Sequence, residues 1–166
     1  MNGTSKIIIT VGLFSVLFLA CVFPLRVFDI QTAGRQCYLW QSEFELKWRH
    51  SVEHQLWRES YRHTGDRLLL YKTRLQTFGA GTPFLTDKEV ETEEGYIGYQ
   101  QEIYLNEINW AVSRNMEGEL LSADGQIPFY AKVPDYSVIS IHPVRIGFMS
   151  FLLGTSCYEW TNKHQL

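Results

Sequence analysis

A chain of 166 residues and 19.4 kDa holds one domain and little more. Apolar residues make up 45% and charged residues 20%, so intrinsic disorder is excluded, and a net charge of −3 leaves no basic surplus to neutralise nucleic-acid phosphates. Aromatic residues stand at 14%, with five Trp and nine Tyr, which suits a β-rich fold and excludes collagen, coiled coil, a disulfide-dense mini-protein and a polytopic membrane protein.

The chain opens on residues 7–25, a nineteen-residue stretch without a charge, IIITVGLFSVLFLACVFPL, flanked by Lys6 and Arg26. A bilayer core of about 30 Å needs about 20 apolar residues as helix, so this run is long enough to span. It exceeds the apolar core of a cleavable signal peptide. An uncleaved signal anchor is the leading reading. A cleaved signal peptide and a lipoprotein signal ending at Cys21 remain open alternatives. The division that follows is residues 1–26 as transmembrane anchor, 27–143 as a β-domain, and 144–166 as a C-terminal extension. Lys6 before the run and Arg26 and Arg35 after it nearly balance. A first apolar segment after a short tail acts as an export signal, so the domain is expected outside the cytoplasmic (inner) membrane, in the periplasm or at the cell exterior, with the membrane as its first partner. Cys37 and Cys157 stand near the two ends of the soluble part. They form either a disulfide that clips those ends together or two buried thiols.

After Arg26 the pattern has period two. Phe44, Leu46, Trp48 and His50 alternate with charged and polar residues, and so do Trp57, Glu59, Tyr61 and His63. Further strands are expected over residues 68–75, 96–101, 118–121, 127–132 and 138–142. Turn signals such as Thr64-Gly65-Asp66 and Ala123-Asp124-Gly125 separate them. Residues 105–114 read equally as a short helix or an edge strand. Residues 144–153 are apolar but too short to span as helix, and either dock on the domain or lie at a bilayer surface. Strands this short at this spacing predict a mainly β fold, an antiparallel sandwich or partly open barrel behind one N-terminal transmembrane helix.

A turn centred on His54-Gln55 would place His50 opposite Glu59, Trp48 opposite Tyr61 and Val52 opposite Trp57. A carboxylate on the apolar face needs a partner, and imidazole supplies one. Three readings compete for His50 and Glu59: a structural ion pair, a ligand or metal site, and an acid–base pair. No third group stands at triad spacing, and no Ser or Cys sits in a nucleophile elbow, so an enzyme, a hydrolase included, is not expected. Phe78-Gly79-Ala80-Gly81 permits close backbone approach and is read as a ligand-binding loop or a tight structural turn. The five His follow no metal motif. No metal and no cofactor is expected.

His50-Ser51-Val52-Glu53, Trp57-Arg58-Glu59, and Thr73-Arg74-Leu75-Gln76-Thr77-Phe78-Gly79-Ala80-Gly81-Thr82-Pro83 together resemble a family of unknown function, domain-of-unknown-function family 1850, over about residues 27–100. Thr77 stands for the family's common Ser and Thr82 for its common Met. Several members are encoded beside TAXI-type tripartite ATP-independent (TRAP) transporters. The resemblance implies an exported, membrane-tethered β-domain that assists solute uptake by contacts with a transporter membrane subunit or its solute-binding protein, and no catalytic mechanism. It carries His50, Glu59 and Gly79, Ala80 and Gly81 over as a candidate site. The alternative is a small-ligand or ion-binding β-domain built on the same residues.

Overall fold

The computed structural model describes residues 24–32, 34–77 and 89–162, with residues 9, 11, 12, 15 and 18 of the apolar run. Those five are helical. Among the described residues no helix is long and apolar enough to cross a membrane. The rest of the expected anchor lies outside them.

The described chain forms strands β1 (Leu25–Thr32), β2 (Arg35–Leu39), β3 (Glu43–Arg49), β4 (Leu56–Thr64), β5 (Arg67–Leu75), β6 (Glu89–Val90), β7 (Ile97–Leu105), β8 (Ile108–Val112), β9 (Glu119–Ser122), β10 (Gly125–Ile127) and β11 (Ser137–Ile146). Three short helices join them: α1 (Phe129–Lys132), between β10 and β11, then α2 (Phe148–Leu153) and α3 (Cys157–Asn162) after β11. The strands build two antiparallel sheets. One is ordered β2-β1-β11-β8 and the other β10-β9-β3-β4-β5-β7-β6. Neither closes on itself among the described residues, so the fold is sandwich-like and not a barrel.

The sheets meet over one apolar core. Phe28, Ile30, Leu39, Ile139 and Ile141 come from the smaller sheet, and Phe44, Leu46, Leu68 and Leu120 from the larger. Phe129 of α1 is fully buried among them. Cys37 of β2 and Cys157 of α3 form a disulfide with Cα atoms 4.9 Å apart, and both residues sit in this core. The C-terminal segment is thereby part of the domain. The Tyr158 side chain meets Ser122, and its hydroxyl donates to the Gly125 carbonyl at 3.2 Å.

Three local differences from the sequence reading have physical causes, and one open choice is resolved. The expected strand at 127–132 stops at Ile127, because Pro128 has no N–H for a ladder and the next residues coil into α1. Of residues 105–114, left open between helix and edge strand, Leu105 ends β7 and Ile108–Val112 form the edge strand β8. β11 runs through Pro143 to Ile146; its pairing with β8 ends at Ile141, so the proline lies where one side of the strand is open. Strands β1 and β2 precede the first expected strand. Val27, Phe28, Asp29 and Ile30 are all buried, so β1 carries no alternation to reveal it.

Candidate functional site

The β3–β4 hairpin pairs Phe44 with Tyr61, Leu46 with Glu59 and Trp48 with Trp57. This corrects the expected register, in which His50 faced Glu59. Strand pairing ends at Arg49–Leu56. His50 to Gln55 form the loop, where the His50 N–H donates to the Gln55 carbonyl at 2.8 Å and the His50 carbonyl accepts from the His54 N–H at 3.0 Å. His54 takes the left-handed conformation that this turn demands (φ 54°). Both registers put the same side chains on the same face, so hydrophobic alternation does not choose between them. The turn chooses.

His50 therefore belongs to the loop. Its Nδ1 pairs with the Glu53 carboxylate, and its ring stacks on Trp57 with centroids 4.8 Å apart. Trp57 stands between His50 and Glu59 along the face. Phe78, Gly79, Ala80 and Gly81 lie outside the described residues.

Glu59 keeps its place on the inner face, with different neighbours. It is flanked by Leu46 of β3 and Thr73 of β5, and Thr73 is flanked in turn by Tyr99 of β7. The Tyr61 hydroxyl donates to Glu59 Oε2. Burial pushes the Glu59 carboxyl above its ordinary pKa, and the Tyr61 hydrogen bond offsets part of that rise. Burial and the neighbouring carboxylate push the Tyr61 phenol upward as well, so it stays a donor.

Polar groups without partners surround this pair. Thr73 is 1% exposed and Trp57 6%, and among the described residues neither Thr73 Oγ1 nor Trp57 Nε1 has a hydrogen-bond partner. The buried Gln101 amide nitrogen of β7 has none either. Buried polar atoms are nearly always paired, so this concentration on adjoining strands needs a reason. Glu59 and Thr73 lie between two apolar patches, and Trp48 packs against both. On one side Tyr61, Leu68 and Leu70 join the main core, and on the other Trp57, Leu75 and Tyr99 form a smaller cluster with Trp48 and Ile97.

The backbone is irregular at the same place. Between the rung Glu59–Thr73–Tyr99 and the rung Tyr61–Leu70–Ile103, the chain takes two steps on β4, three on β5 and four on β7. Successive strands splay there, as bulged strands do beside binding sites.

The opposite face of the same strands is an ion-pair network. Arg58 bonds Glu45 at 3.2 Å and Glu93 at 2.6 Å, and Arg74 bonds Glu45 and reaches Glu93 at 3.0 Å. Trp57-Arg58-Glu59 and Thr73-Arg74 thus send alternate side chains to the two faces, Trp57, Glu59 and Thr73 inward and both arginines to the network. Sequence reasoning found Glu59 and set Trp57 and Tyr61 in the same alternation. It missed Thr73 and Gln101. The available signal was a threonine in phase with Leu75, on a face otherwise apolar.

No group of three or more His, Cys, Asp or Glu side chains placed to hold a metal occurs among the described residues. The belt supplies an indole N–H, two hydroxyls, of which Tyr61 already donates to Glu59, and one carboxyl.

Fold and site together define a small sandwich-like β-domain with a polar belt buried across its larger sheet. The chain belongs to the family described as Domain of unknown function (DUF1850), whose profile matches residues 44–129. The match starts at β3, so β1 and β2 lie outside it, and it continues to Phe129, well past the motifs around residues 50–83. No curated protein and no solved structure matches the chain.

Proposed function

We propose that this domain binds a small polar ligand at the belt formed by Glu59, Tyr61, Thr73 and Trp57. The observation that carries the reading is the pair of buried, partnerless atoms, Thr73 Oγ1 and Trp57 Nε1, on the same face as the Glu59 carboxyl. An unsatisfied buried polar group costs about 1–3 kcal/mol, and a ligand that supplies its partner recovers that cost. The spare N–H groups favour a ligand with acceptor oxygens, such as a small carboxylate or amino acid. Glu59 adds a carboxyl that donates when protonated and attracts cations when ionised.

Thermal shift against small carboxylates, amino acids and divalent cations tests this. Stabilisation by at least one class is expected. Thr73→Val, which keeps the shape and removes the hydroxyl, should weaken binding about 2–10-fold, the worth of one ordinary hydrogen bond, with folding retained. A folded wild-type protein that none of these ligands stabilises would overturn the reading.

The Cys37–Cys157 bridge and the apolar run ahead of β1 support an extracytoplasmic site on the inner membrane, with the chain crossing once. These two features also favour a second reading, an accessory that contacts a TRAP/TAXI-type transporter subunit or its solute-binding protein. Co-purification in mild detergent through a C-terminal tag tests it. A stoichiometric transporter subunit is expected; recovery of the protein alone in a monodisperse peak counts against it.

A further inference from the structure

Strand β1 begins at Leu25, the last residue of the apolar run, with no linker between them. Its first rung pairs Leu25 with Ile146, and its second pairs Arg26 with Arg145. Ile146 ends β11, and α2 starts two residues later at Phe148. The apolar run enters the smaller sheet where α2 leaves it.

Helix α2, FMSFLL, has no charged and no buried residue. Met149 is 59% exposed, Leu152 57% and Leu153 80%. The helix is nonetheless held to the domain. Phe151 packs on Trp40 with centroids 4.7 Å apart. Gly154, which follows the helix, lies so close to Tyr38 that a Cβ there would come within 2.7 Å of the ring. The exposed apolar side chains are presented by a fixed helix, and the exposed Arg26 stands on the neighbouring rung.

We propose that α2 is a membrane foot: Met149, Leu152 and Leu153 insert into the interface of the bilayer that residues 7–25 enter, with Arg26 at the level of the lipid phosphates. The inference rests on the anchor reading. The bilayer is the occupant because a spanning segment joined to β1 without a linker holds this end of the sheet at the membrane surface. Apolar side chains beside Trp, Tyr and Arg match the chemistry of that boundary.

The test uses the full chain, Cys21→Ser, in vesicles of phosphatidylethanolamine and phosphatidylglycerol. A nitroxide is attached through Leu153→Cys or, separately, through Tyr136→Cys. Tyr136 is exposed and precedes β11, about 30 Å from Ile146 along the strand. The label at 153 should relax with membrane-dissolved oxygen and resist a water-soluble nickel complex, and the label at 136 should do the reverse. A label at 153 that meets the nickel complex, in protein that withstands alkaline carbonate extraction, overturns the foot and leaves the anchor standing. A label at 153 shielded from both reagents means that protein covers α2, residues 7–25 or a second copy, and also overturns it. Extraction by carbonate removes anchor and foot together.

Discussion

A carboxyl whose pKa is raised by burial stabilises the fold while protonated and opposes it once ionised. Glu59 is such a group. The native state holds its proton to higher pH than the unfolded chain, so stability falls as pH rises from the ordinary carboxylate value through the raised one, and is flat above it. Glu59→Gln should remove that slope and be more stable than wild type at neutral pH, while losing whatever binding depends on the carboxyl. Urea titrations across pH check this. His63 acts in the opposite sense. It stacks on Phe28 with centroids 3.8 Å apart, and burial, with a smaller contribution from Arg26, lowers its pKa to about 4. The unfolded chain takes up that proton first, so stability falls as pH drops from about 6.5 to about 4. His63→Phe should flatten that limb, and differential scanning calorimetry at several acidic pH values would show it.

At the scale of elements, the β3–β4–β5 segment is held on both faces. Glu45 bridges Arg58 and Arg74, and all three are mostly buried. Glu45→Gln leaves two guanidinium groups short of a partner and should cost about 1–3 kcal/mol, between the limits for exposed and buried pairs, as read from urea midpoints. This segment was also the most legible in the sequence. Period-two alternation located β3 and β4 and identified which of their side chains face the core, because alternation reports burial on one face; β5 was placed as an apolar run without that pattern. The same logic could not place His50, since shifting the register by an even step returns every residue to its face. It could not find β1 either, where a central strand packed on both sides shows an unbroken buried run. The belt was half legible. A glutamate among aromatic residues stands out; a threonine among leucines does not, and Gln101 becomes visible only once the splay between β5 and β7 is known.

For the whole molecule, the disulfide joins β2 to α3, across a sequence separation of 120. Confining a loop of that length in the unfolded state should be worth about 2–4 kcal/mol, so reduction in urea should lower the unfolding midpoint accordingly. The sequence named both cysteines but could not bring them together, because nothing in the spacing shows that the last helix packs beside β2. The proposed bilayer foot shares that origin: an apolar segment of ambiguous role in the sequence acquires a location only when β11 delivers it beside the start of β1.

The same bridge changes how the molecule carries tension. A domain pulled from its two ends normally unravels along its whole length. Here the load passes from residue 37 to residue 157 through sulfur, and the 119 residues between them bear none of it. About 400 Å of extended chain is withheld from stretching. Only β1, the start of β2 and the last few residues can peel away under force. The larger sheet and its polar belt stay folded while the ends are pulled, and in a force–extension trace the missing length returns only when reductant is added.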